Sequence, residues 1–154
     1  MPLFASPALH ADLVRAYELQ IAESLGTGNA PDIIVGLDAR GFLFGPTLAL
    51  RLGAGFVPVR KEGKLPGKVE TVTYQKEYGK DSFSMQTDSI QPGQRVLVVD
   101  DLIATGGSAA AAGTLVRRCG GDLLGYIFII ELTSLRGRDR LDAPVYTLLE
   151  SQES

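Results

Sequence analysis

Apolar residues recur along the chain in two rhythms, and the alternation between them predicts the architecture. Leu9, Leu13, Val14, Tyr17, Ile21 and Leu25 fall at helical spacing and form one stripe. Ser6 and Pro7 stand before it as a cap and a first-turn proline, and Gly26 and Gly28 end it. Asp32 to Leu37 (DIIVGL) is short, β-branched and apolar, as a parallel strand covered on both faces should be. A loop over 38–41 leads into a predicted helix over 42–52, with a proline near its start. Phe56 to Arg60 reads as a second strand, followed by a charged, glycine-punctuated loop over 61–67 (KEGKLPG). Residues 69–78 and 82–90 alternate in polarity around Gly79-Lys80-Asp81, which predicts an antiparallel excursion from the main sheet. After a turn at 91–94 come a third core strand (Arg95 to Val99), a helix from about Ser108 to Cys119, a fourth strand (Leu123 to Ile130) and a fifth (Val145 to Leu149).

Strands alternating with helices in this way predict an α/β fold: a mainly parallel, five-stranded central sheet flanked by helices, with an antiparallel hairpin. No repeat, low-complexity tract or linker interrupts the chain, so residues 1–154 read as a single domain. A domain of this length buries about 70% of the surface its unfolded chain exposes and needs no staples. Its one cysteine, Cys119, excludes an internal disulfide and fits a reducing compartment. A net charge of −3 gives no global attraction to nucleic acid or to an anionic membrane. No apolar run reaches the ~20 residues of a membrane span, and the first residues lack the basic and apolar regions of a signal peptide. The expected location is the cytoplasm.

Chemistry is concentrated in residues 96–108, VLVVDDLIATGGS. An apolar strand ends in two adjacent carboxylates, Asp100 and Asp101; a loop of small residues then leads into a helix N-terminus. Ligands in open α/β sheets bind beyond the carboxyl ends of the strands. Unpaired N–H groups and the macrodipole at a helix N-terminus favour an anion. Gly106 and Gly107 let backbone approach closely, and Thr105 and Ser108 add hydroxyl donors. The carboxylates repel phosphate and suit sugar hydroxyls or a metal-bound sugar, so the ligand implied is a sugar 5-phosphate. Neither GxxxxGK[ST] nor GxGxxG is present. The plainer alternative, a strand-to-helix turn with Ser108 as its cap, leaves two adjacent acids at a strand end unexplained.

This stretch resembles the phosphoribosyl-diphosphate (PRPP) motif of the type I phosphoribosyltransferases. The segments GLDARGFLFGP (36–46), VRKEGKLPG (59–67), EYGK (77–80) and ELTSLRGR (131–138) resemble the adenine phosphoribosyltransferases within that family. The resemblance implies the type I phosphoribosyltransferase fold, with the hairpin as a flap over the site. It implies conversion of adenine and PRPP into AMP and pyrophosphate, with Mg²⁺ bound mainly through PRPP or pyrophosphate and no metal site of the protein's own. By the same resemblance, Asp100 and Asp101 bind the ribose hydroxyls, and Ala104, Thr105, Gly106, Gly107 and Ser108 cradle the 5-phosphate. Asp38 and Ala39 join in a loop whose first peptide bond is often cis in this fold. Arg40, Arg60 and Lys64 meet the pyrophosphate, Glu77 and Tyr78 sit on the flap, and Leu132 packs against the base. Arg40, Glu77, Asp100 and Asp101 are the candidates for catalysis. A homodimer is implied, with the helix after Arg40 near the interface.

Other polar residues read more plainly. Arg60, Lys61 and Lys64 alone would be a solvated run. Glu131 reads as a structural carboxylate, His10 as a surface residue, and Arg136, Arg138 and Arg140 as a solvent or subunit face. Relatives carry a further N-terminal segment, the hood, that contacts adenine, and no counterpart is visible before Ser6. Two readings follow: an active purine phosphoribosyltransferase, or a PRPP-binding short form or regulatory protein with little transferase activity. Arg40, Arg60, Lys64, Glu77 and Tyr78 favour the first, because binding alone does not need them.

Overall fold

The computed structural model describes residues 2–26, 28–76 and 78–152. In chain order these form a short helix α1 (Pro2–Ala5), α2 (Pro7–Leu25), β1 (Ile33–Leu37), a 3-10 turn (Arg40–Phe42), α3 (Gly45–Leu52), β2 (Gly55–Lys61), β3 (Val69–Lys76) and β4 (Gly79–Gln86). There follow β5 (Arg95–Ile103), α4 (Gly107–Arg118), β6 (Asp122–Leu132), 3-10 turns at Thr133–Leu135 and Gly137–Arg140, and β7 (Val145–Ser151). The strands make one sheet in the order β3-β4-β2-β1-β5-β6-β7. Strands β2, β1, β5, β6 and β7 run parallel, and the β3–β4 hairpin joins antiparallel through Arg60↔Ser84 and Lys61↔Phe83. The expected five parallel strands and hairpin are therefore present as one continuous sheet. Among the described residues, no helix is long and apolar enough to cross a membrane.

The unbroken apolar runs arise because the central strands are covered on both faces. Val35, Val96, Val98, Tyr126 and Phe128 pack towards Ala112, Leu115 and Val116 of α4. The intervening Ile34, Leu97, Val99 and Ile127 pack towards Leu13, Val14, Tyr17 and Ile21 of α2 and Leu48 of α3. Ser6 caps α2 by accepting the Leu9 N–H.

Several boundaries differ from the sequence pattern. Helix α3 begins at Gly45, because residues 40–42 make a separate 3-10 turn. The hairpin closes earlier than Gly79-Lys80-Asp81: Lys76 already pairs with Gly79 and Tyr74 with Asp81. Strand β5 runs past Val99 to Ile103, because pairing with β6 continues from Asp100↔Phe128 to Ile103↔Glu131.

The sheet order fixes where a site can form. From β1 the chain moves outward to β2, and β5 returns to the opposite side of β1. The ends of β1 and β5 thus border a topological switch point, where open α/β sheets bind ligands. The turn after β1 fits there because Gly36 is small. A Cβ at Gly36 would lie 2.8 Å from the Phe56 ring and 3.1 Å from the Gly41 carbonyl oxygen. Gly36→Ala should therefore destabilise the fold by about 1–3 kcal/mol through overpacking. The check is urea unfolding, with the midpoint lowered and the slope unchanged; an unchanged midpoint would show that the turn does not rest on Gly36.

Candidate active site

The two carboxylates stand side by side at the end of β5, close enough for their side chains to interact. Asp100 lines a cavity of about 260 Å³ beyond the strand ends, together with Asp38, Arg40, Ala104, Thr105, Gly106 and Ser108. Asp101 is only 8% exposed. Its Oδ2 pairs with Arg40 Nε at 3.0 Å, while its buried Oδ1 has no hydrogen-bond partner. Asp100 Oδ1 accepts the Asp101 N–H at 2.9 Å. The pair is held from below by Tyr17 of α2, whose fully buried hydroxyl donates to the Asp100 backbone oxygen at 2.9 Å. Tyr17 stacks on Phe44 with ring centroids 4.9 Å apart, linking α2 to the segment that carries Arg40.

The loop after β1 brings its own charges. The Asp38–Ala39 peptide bond is cis, as the resemblance implies for this loop. Asp38 Oδ2 accepts from Arg60 Nε at 3.2 Å, and Arg60 lies over the Phe42 ring. Arg60 thus reaches the cavity wall through Asp38. Opposite, Gly106 takes a left-handed conformation (φ 88°) at the N-cap of α4, and no side chain caps the helix. Ser108 is not the cap that the plainer reading required, so the first N–H groups of α4 keep no side-chain cap.

The end of β2 and the hairpin supply residues that the sequence pattern does not place in the site. Lys61, Tyr74, Lys76, Asp81 and Phe83 complete the cavity wall. A neighbouring cavity of about 420 Å³ is lined by Tyr74, Lys76, Tyr78, Thr105, Gly107, Ser108 and Leu135. Tyr78 is 96% exposed at the hairpin tip; Glu77 lies outside the described residues. Lys64 is exposed on the 61–68 segment and lines neither cavity, nor does Leu132 at the last position of β6. Arg138 stays exposed, as expected, yet its guanidinium also clamps buried Glu131 through two nitrogens, with Nε–Oε2 at 2.9 Å. His10 is half-buried with its ring edge-on to Phe4, away from both cavities. The signal that would have found Lys76 and Asp81 is the two-residue closure of the hairpin, which sets them diagonally across its end.

Burial raises the Asp100 pKa far above the usual carboxylate range, and the neighbouring Asp101 adds to the rise while Arg40 opposes it. The folded state therefore holds this proton more tightly than an unfolded aspartate, whose pKa is about 3.9. Unfolding releases the proton, so the stability involved is complete below about pH 4 and is lost as pH rises through the folded-state value. Asp100→Asn keeps the oxygen that accepts the Asp101 N–H and removes the titration. In urea unfolding across pH, the variant should match the parent most closely at the acid end and be the more stable at the alkaline end. A variant no more stable than the parent at the alkaline end would contradict the burial of this charge.

Comparison with known proteins identifies the family. The family model of the phosphoribosyl transferase domain matches residues 5–154. The chain is 60% identical over 153 residues to an adenine phosphoribosyltransferase of Yarrowia lipolytica, covering 99% of this chain and 84% of that relative. Its fold is similar to the crystal structure of adenine phosphoribosyltransferase from Saccharomyces cerevisiae, complexed with an imino-altritol bisphosphate and adenine. The TM-score is 0.92 at 55% identity, over 96% of this chain and 84% of that one. The enzyme from Trypanosoma brucei, in complex with AMP, pyrophosphate and ribose-5-phosphate, is similar with a TM-score of 0.84 at 29% identity, over 97% of this chain and 68% of that one. The chain belongs to the phosphoribosyltransferase family, among its adenine phosphoribosyltransferases.

Proposed function

We propose that the chain transfers the 5-phosphoribosyl group of PRPP to adenine, giving AMP and pyrophosphate. The observation that carries this reading is the cavity at the β1/β5 switch point. One wall is an uncapped helix N-terminus and the other an Arg-bearing turn, with a carboxylate between them. In the transfer an adenine ring nitrogen bonds to C1 of the ribose and gives up its proton to the departing pyrophosphate or to solvent. The C1–O bond to the diphosphate breaks, and its electron pair leaves with pyrophosphate. Positive charge grows on the sugar and negative charge on the leaving group, so groups fixed in advance around both contribute most.

Roles follow from place. The N–H groups of Ala104 to Ser108 and the hydroxyls of Thr105 and Ser108 hold the 5-phosphate. Asp100 faces the cavity and accepts from the ribose hydroxyls, next to the sugar carbon that becomes cationic. Asp101 fixes Arg40, and its unpartnered buried Oδ1 is the remaining acceptor for a sugar hydroxyl. Arg40 and, through Asp38, Arg60 face the diphosphate; Lys64 adds charge from the exposed 61–68 segment. Tyr78, at the hairpin end, closes over the site and excludes water, and Glu77 is assigned to the same step by the resemblance. Leu132 is the residue proposed to pack on the base.

Mg²⁺ held mainly by the diphosphate fits this wall. Asp38 and Asp100 face the cavity, and one or two carboxylates plus substrate phosphates are the usual surroundings of that ion. When bound it supplies charge neutralisation at the leaving group. A homodimer is part of the proposal, supported by Leu43 and Leu50, exposed on and before α3 and the latter by 82%. A cytoplasmic setting rests on the single cysteine, Cys119, alone.

Incubation with adenine, PRPP and Mg²⁺ should yield AMP and pyrophosphate in equal amounts. Asp100→Asn should lower kcat/KM for PRPP by about tenfold to a hundredfold, the value of a hydrogen bond to a charged group. PRPP binding with no AMP above background would favour the binding-only reading. A product from guanine or hypoxanthine in place of adenine would overturn the base assignment.

A further inference from the structure

The phosphate cradle has an electrostatic gap. A sugar 5-phosphate is close to dianionic at neutral pH, yet the loop ATGGS contains no cation. N–H groups and hydroxyls would have to hold it alone, on the same crevice wall as Asp100.

Two elements outside the motif close on this loop. Strand β3 lies along α4: Arg118 Nη1 donates to the Thr71 oxygen at 3.2 Å, and a Cβ at Gly107 would sit 3.2 Å from the Gln75 oxygen. This brings Lys76, the last residue of β3, to the first turn of α4. Lys76 and Thr105 together line both cavities described above, and with Gln75 and Arg140 they frame a third of about 180 Å³. Arg140 arrives on the 3-10 turn after β6. Gly137 of that turn packs so closely on the loop that a Cβ at Gly106 would collide with its carbonyl oxygen. The Arg138–Glu131 clamp fixes the same turn to β6. In this state Lys76 Nζ is paired with Asp81 Oδ2 at 3.1 Å, and the same oxygen meets Lys61 Nζ at 3.4 Å. The Asp81 carboxylate is thus shared between two lysines on a wall that must receive an anion.

We propose that Lys76, with Arg140 opposite it, is the cation of the 5-phosphate cradle, and that Asp81 is the resting counter-ion which the ligand's phosphate displaces. The proposal rests on the PRPP reading of the site. It adds a selection rule: sugars carrying the 5-phosphate are taken, and the same sugars without it are refused. Lys76 is half exposed, so its replacement leaves the core untouched. Asp81→Asn keeps the Oδ1 that accepts the Ser82 N–H. The two changes act oppositely on the charge at the cradle.

Calorimetric titration with ribose 5-phosphate and, separately, with pyrophosphate tests this. Lys76→Met should weaken ribose 5-phosphate by about tenfold, as for one lost charge-assisted contact, and by more than it weakens pyrophosphate. Lys76→Arg should restore most of the affinity, Arg140→Met should weaken it in the same direction, and Asp81→Asn should tighten it. A purely structural role for the Lys76–Asp81 pair would make Lys76→Met and Asp81→Asn change affinity in the same sense, and that result overturns the proposal. Equal affinity for ribose 5-phosphate in the parent and Lys76→Met, or a loss greater for pyrophosphate, overturns it too while leaving the proposed function standing. A parent protein that does not bind ribose 5-phosphate at all overturns both.

Discussion

Negative charge buried at the end of β5 is the constraint around which the rest of the structure is arranged. On the proposed function, Asp100 and Asp101 stand beside a crevice that also accepts a phosphate ester and a diphosphate, and like charges in so confined a space repel strongly. The counter-charges come from other elements. Arg40 arrives on the turn after β1, Arg60 and Lys61 on β2, and Lys76 on β3. The cradle itself offers only backbone dipoles and hydroxyls. A sheet whose order reverses between β1 and β5 is what lets these charges converge from both sides.

The scaffold holds this arrangement by packing that leaves little slack. Apolar layers on both faces fix β1, β5 and β6. Small residues allow backbone segments to touch where a side chain would hold them apart: Gly36 beneath the Arg40 turn, and Gly106 against Gly137 at the phosphate loop. Tyr17 carries the core directly into the site, since one end of its ring stacks on Phe44 and its hydroxyl bonds to the backbone of Asp100. Burial opposes the ionisation of Asp100, and a carboxylate kept out of water gains most when a ligand donates to it.

Much of this was legible in the sequence because it is written in local pattern. Continuous β-branched runs predicted the doubly covered strands, and VLVVDDLIATGGS predicted the strand, carboxylates, loop and helix in order. What was not legible depends on contacts distant along the chain. Nothing before Asp100 predicts that β5 continues to Ile103, because the partner that sustains it is β6. Lys76 and Asp81 meet because the hairpin closes between Lys76 and Gly79, two residues earlier than the Gly79-Lys80-Asp81 pattern suggests. Arg138 finds the buried carboxylate of Glu131 seven positions back, from a 3-10 turn to the end of a strand, a pairing set by how the turn folds onto β6. The hydroxyl of Tyr17 finds a partner 83 residues on, which an apolar stripe cannot announce.

On the proposed function, the phosphorylated sugar sits at the β5–α4 turn. Backbone amide NMR during titration with AMP tests it residue by residue. The account predicts that the largest shifts fall on Thr105, Gly106, Gly107 and Ser108, with smaller ones on Arg40 and Asp100. Shifts concentrated elsewhere, with these amides unmoved at saturation, would contradict it.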